Sequence, residues 1–164
     1  MSLNNWSDTY DSTNRPGYYL FERCDRLKDA SNLLLPAMDL TERCYQSMFR
    51  SCADLTDAPA LPATGLAGNC YNGMFMGCSI LSSPIYLPAT TLANDCYSSM
   101  FSDCSGLTTF EVNFTSWGTN NQQYTWFWFS SLANTTGKTF IKPSTLPYVS
   151  GISNIPSGWI VQNK

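Results

Sequence analysis

Histidine is missing altogether from the 164 residues, and charge is scarce. Without imidazole there is no Ser-His-Asp or Cys-His nucleophile pair, no histidine general base and no histidine metal ligand. Charged residues make up 13% of the chain, against roughly 25% in an ordinary globular protein. Net charge is −3, and no lysine or arginine stands between Arg50 and Lys138. No basic patch can form from that stretch, so neither nucleic acid nor an anionic membrane surface is expected as a partner. No apolar run approaches the roughly 20 residues of a membrane span, so no membrane insertion is expected. The start, Met-Ser-Leu-Asn-Asn-Trp-Ser-Asp, lacks the basic and apolar regions of a signal peptide. The expectation from this alone is either a cytoplasmic chain or a fragment of a longer exported protein.

What is present argues for a folded chain. Hydrophobic residues reach 43% and aromatics 14%, too many for disorder. The length suits one domain with a real core. This composition favours an uncharged binding or structural domain over an enzyme.

The dominant feature is an internal repeat. Residues 35–60 read LPAMDLTERCYQSMFRSCADLTDAPA, residues 61–86 LPATGLAGNCYNGMFMGCSILSSPIY, and residues 87–112 LPATTLANDCYSSMFSDCSGLTTFEV. Ten of the 26 positions are identical in all three units, with no gaps. A degenerate half-repeat at 19–34 precedes them: Leu20, Phe21, Cys24, Leu27 and Ala30 match Met48, Phe49, Cys52, Leu55 and Ala58 at an offset of 28. Residues 1–18 are a lead-in, and 113–164 are read as a divergent last turn plus a C-terminal cap.

Within a unit the apolar spacing changes. Leu66, Cys70 and Met74 fall four apart, and Tyr71, Phe75 and Cys78 widen the same face, which predicts a helix of about three turns. The remainder, residues 55–61 and their equivalents, is short and marked by proline, and predicts a strand ending at the next Leu-Pro. One strand and one helix cannot bury their apolar faces alone, but stacked copies can. The expected fold is therefore an α/β, right-handed leucine-rich-repeat solenoid, with parallel strands about 4.8 Å apart.

The block LPATTLAxxCYxxMFxxCSxL resembles the Bacteroides surface-protein type (BspA-like) of leucine-rich repeat. Residues 139–143, TFIKP, and 155–159, IPSGW, are similar to the ending of many such proteins. The resemblance implies a bacterial cell-surface or extracellular location and adhesion to a protein ligand such as a host matrix or surface protein. It also allows a phage-particle component, and it implies no catalytic residues and no cofactor.

The seven cysteines invite a chemical reading. Cys44/Cys52, Cys70/Cys78 and Cys96/Cys104 are pairs eight apart, with Cys24 left over. Metal sites need closely spaced convergent ligands, which this pattern lacks. We read them as small buried thiols in the slots between turns, with a disulfide between adjacent turns as the other possibility. Asp8, Asp11 and Asn14 have too few companions for a calcium loop. Asn5, Asn113 and Asn134 open sequences of glycosylation-acceptor form. The carboxylates Asp54, Asp57, Asp95, Asp103 and Glu111 share no common position across the units, and nothing marks a pair for glycoside hydrolysis.

The expected role is a non-enzymatic recognition module. Taking Leu55, Leu81 and Leu107 as core, the next residues Thr56, Ser82 and Thr108 form a small polar ladder on the open strand face, with Tyr86 as the bulky neighbour. These four are the candidate ligand-binding residues. A carbohydrate-binding module using Trp117, Tyr124 and Trp128 is the alternative. In the aromatic run 124–129, Trp126 and Phe127 are expected to take the Met-Phe position and close the core.

Overall fold

The computed structural model describes residues 17–118, 123–132 and 135–164. The Asp8/Asp11/Asn14 cluster, the Asn5 and Asn134 sequons and nearly all of the lead-in lie outside the described residues. Four short strands form one parallel sheet in chain order: β1 Ile85–Leu87, β2 Thr109–Val112, β3 Thr139–Lys142 and β4 Ile160–Asn163. Each strand pairs with the next in parallel, Phe110 lying opposite Ile85 on one side and Phe140 on the other. Val161 continues the row.

The expected strand-helix leucine-rich-repeat solenoid is not formed. Among the described residues there is no α-helix. Each segment predicted as a helix is instead a run of overlapping turns. In the first unit the N–H groups of Cys44, Gln46, Met48, Arg50 and Cys52 each donate to the carbonyl three residues back. The residues between them bond across to the next coil: Tyr45 to Cys70, Ser47 to Asn72, Phe49 to Met74 and Ser51 to Met76, at 2.7–2.9 Å. The second unit repeats this pattern with the third, from Tyr71 to Cys96 through Gly77 to Ser102. Half of the backbone donors thus serve the turn and half serve the neighbouring coil, which meets the requirement that buried backbone groups be paired.

This geometry needs a left-handed residue at every fourth position. Positive φ occurs at Arg43, Ser47 and Ser51, at Asn69, Gly73 and Gly77, and at Asp95, Ser99 and Asp103. Each is the third residue of a turn, where a type II turn requires positive φ. Side chains between these positions point inward in pairs, so Cys44-Tyr45, Met48-Phe49 and Cys52 are all buried.

The strand side also departs from expectation in its first unit. Residues 55–61 form no strand, and only the single bridge Asp29↔Asp57 marks pairing there. Pro59 and Pro62 lack the donors that a ladder needs. The equivalent residues 85–87 do pair, because on that side the partner strand β2 is free of proline.

Like side chains stack through the molecule. Phe21, Phe49, Phe75, Phe101 and Phe129 form one ladder, with successive centroids 5.4, 5.4, 5.7 and 5.8 Å apart. Tyr45, Tyr71 and Tyr97 form a second, at 5.8 and 6.0 Å. The last coil corrects the expected register. Phe101 N–H donates to Trp128 where Phe75 donates to Met100, so the offset is 28 residues and Trp128-Phe129 takes the Met-Phe position. Thr125 then falls at the tyrosine position, and the large Trp128 ring fills the space, 6.4 Å from Tyr97. Trp126 and Phe127 are left outside, 43% and 41% exposed.

Two buried lysines close the turns around β3. Lys138 Nζ donates to the carbonyls of Ser105 and Leu107 at 2.7 and 2.5 Å. Lys142 Nζ donates to Leu146 O at 2.6 Å.

Candidate functional site

Leu55, Leu81 and Leu107 are fully buried, and each is followed by a small hydroxyl residue on a successive coil. Thr56 is half-buried, while Ser82 and Thr108 are exposed. Thr56 N–H and its hydroxyl both donate to Lys28 O, at 2.8 and 2.9 Å. Ser82 N–H in turn donates to Thr56 O at 3.0 Å, and Thr139 N–H to Thr108 O at 2.8 Å. The Thr56 hydroxyl also lies 2.6 Å from Asp57 Oδ2. These residues therefore sit where coil is tied to coil, and their side chains are small and uncharged.

Tyr86 is the outward residue of β1, 49% exposed between buried Ile85 and Leu87. Its hydroxyl accepts a hydrogen bond from Asn113 Nδ2 at 2.7 Å. Lys164 Nζ lies 5.4 Å from the ring centroid and is held by Glu111 at 2.6 Å. Tyr86 is thus braced on one side by a polar cluster. Tyr86 also lines a groove of about 630 Å³, together with Pro59, Pro62, Pro84, Pro88 and Ile85. The groove runs between the corner of one coil, residues 58–62, and that of the next, residues 84–88. It exists because the prolines at 59 and 62 keep this corner from pairing as a strand, so the two corners stay apart.

Sequence reasoning missed this groove. The signal for it is the recurring proline at 59, 62, 84 and 88, which marks a strand end and also a corner without ladder donors.

Of the alternative aromatic set, Trp117 and Tyr124 line one shallow cleft, while Trp128 lies beneath the surface. Trp128 is wholly buried and donates through Nε1 to Asn154 O at 2.7 Å. Trp117 is half-buried, with Nε1 on Pro147 O at 2.9 Å, and Tyr124 is also half-buried.

The cysteines occupy structural positions. Six are buried and free, and Cys24 is exposed. Cys52, Cys78 and Cys104 place Sγ 2.9, 3.1 and 3.0 Å from the carbonyls of Phe21, Phe49 and Phe75, one coil back. Burial pushes the thiols of Cys44, Cys70 and Cys78 up to about 12 and that of Cys52 to about 11. A thiol so hard to ionise is a poor nucleophile and a poor metal ligand.

Four of the carboxylates, Asp57, Asp95, Asp103 and Glu111, are engaged locally. Asp95 accepts from Ser98 Oγ and Asn94 Nδ2, both at 2.8 Å, Asp103 from Ser131, and Glu111 from Lys164. Among the described residues no group of three or more acidic or cysteine side chains is placed to hold a metal. Comparisons with protein-family models, curated proteins and solved structures find no match to this chain.

Proposed function

We propose that the chain is a non-enzymatic recognition module of a surface-exposed protein, binding an extended, uncharged segment of a protein ligand along its strand side. The observation that carries this reading is the proline-walled groove beside exposed Tyr86. An extended peptide suits such a site. Proline walls offer no backbone donors and hold their shape, and an exposed aromatic ring gives apolar contact at low conformational cost. Thr56, Ser82 and Thr108 lie on successive coils outside the lining of the groove and would extend the contact along the strand side. A metabolite site would instead enclose its ligand more fully.

The test uses a phage-displayed library of random linear peptides selected against the whole chain. Binders are expected. Tyr86→Ala should weaken them by at least about tenfold, and the double change Ser82→Lys with Thr108→Lys should weaken them too. Failure to select any binder, or binders indifferent to both variants while these remain folded, would overturn the proposal.

A further inference from the structure

The outer surface of the turn ladder changes character in the last coil. Gln46-Ser47, Asn72-Gly73 and Ser98-Ser99 occupy equivalent positions, as the chain of bonds from Ser47 to Asn72, Gly73 to Ser98 and Ser99 to Trp126 shows. Their counterpart in the last coil is Trp126-Phe127. These two rings stack at 5.5 Å and 20° and are both exposed. Phe127 has φ 53, and the residues at the same position of the other coils, Tyr19, Ser47, Gly73 and Ser99, are left-handed too.

Beside this pair lies a cleft of about 250 Å³. Trp117, Tyr124 and Trp126 contribute its aromatic surfaces, and Gln123, Ser153 and Asn154 its polar ones. The aromatic walls are set by close contacts. Trp117 is anchored through Nε1 to Pro147 O. Tyr124 is seated against Gly118, whose φ is +86 and where a Cβ would fall 2.5 Å from the ring. No aspartate, glutamate, lysine or arginine occurs in residues 112–137 or 143–163. The site therefore carries no formal charge of its own, which disfavours phosphate and carboxylate ligands.

We infer that the last coil holds a binding site for a neutral carbohydrate, with one sugar ring received between Trp117, Tyr124 and Trp126. A sugar ring has an apolar C–H face, which packs on an aromatic plane, and an edge of hydroxyls. The amides of Gln123 and Asn154 offer donors and acceptors to that edge, and the Ser153 hydroxyl, which accepts from Phe127 N–H at 3.0 Å, keeps its own proton to donate. The site is separate from the strand-side groove and does not rest on the peptide reading.

Saturation-transfer NMR on the full chain, against a panel of neutral mono- and disaccharides and their sialylated or uronic-acid counterparts, tests this. A neutral sugar should receive saturation at millimolar concentration and the charged ones should not. Trp126→Ala should weaken that sugar at least about tenfold, Trp126→Phe less, and Tyr86→Ala not at all. Trp126 is exposed, so melting of the alanine variant should be unchanged. The inference fails if no neutral sugar binds at millimolar concentration. It also fails if Trp126→Ala binds as the parent does, or if that change alters oligomeric state and leaves no sugar binding to lose.

Discussion

Cys52, Cys78 and Cys104 each turn a thiol towards the carbonyl of the phenylalanine one coil back. This is a small donor in a slot too tight for a longer side chain, and it explains why the cysteine recurs without any chemistry of its own. The same burial has a consequence for pH. Folding moves Cys44, Cys70 and Cys78 from 9.0 to about 12 and Cys52 to about 11, and raises Cys96 and Cys104 as well. Above the unfolded value the unfolded chain sheds thiol protons that the native chain keeps. The stabilisation is therefore complete below about pH 9 and is lost as pH rises towards 12, by at most about 1.4 kcal/mol per pH unit for each thiol. Buried Lys138, lowered by desolvation, works in the opposite direction, but it is one group against six thiols, and burial raises Tyr45, Tyr71 and Tyr97 in the same sense as the thiols. Urea unfolding should show stability falling steeply between about pH 9 and about pH 11, with a shallower slope in Cys70→Ala. A flat profile over that range would refute the burial of the thiols.

The turn ladder is the element on which the sequence reading went astray, and the reason is geometrical. Inward residues recur at i, i+1, i+4, i+5 and i+8, as in Cys70, Tyr71, Met74, Phe75 and Cys78. A four-residue period drifts only about 40° per step from the helical one, so over eight residues both conformations present a single face. The distinguishing signal lay on the outer side. Asn69, Gly73 and Gly77, and Asp95, Ser99 and Asp103, are poor helix residues spaced four apart, at the positions that take positive φ. Gly77 separates the two conformations by the sign of a substitution. In a helix, Gly77→Ala would stabilise by about 1 kcal/mol. Here φ is 81, and the nearest atom to an added Cβ, Ser51 Oγ, is at an ordinary 3.4 Å, so the cost is conformational rather than steric. Gly77→Ala should therefore destabilise by about 1 kcal/mol, read as a lowered melting temperature.

At the scale of the whole molecule, the repeat made the inward positions legible while leaving the path between them open. Leu55, Leu81 and Leu107, the Tyr45 and Phe49 ladders and the paired cysteines are buried where the 26-residue period aligns them. The last coil was harder, because its offset of 28 residues moves Trp128-Phe129 inward and Trp126-Phe127 outward, and a two-residue insertion leaves no mark in an aromatic run. Of the strand-side residues, Thr56, Ser82 and Thr108 followed from their place after the core leucines. The groove beside Tyr86 did not, because it depends on two proline corners failing to pair. What joins these observations is that alternate backbone donors bond one coil to the next, while the donors between them close turns within a coil. Scalar couplings across hydrogen bonds, measured by NMR on deuterated protein, report donor and acceptor directly. Correlations are expected from Tyr71 N–H to Cys96 C=O and from Phe75 N–H to Met100 C=O. Correlations from Phe75 N–H to Tyr71 C=O, the partner four residues back, would mean a helix and would contradict the coil-to-coil bonding.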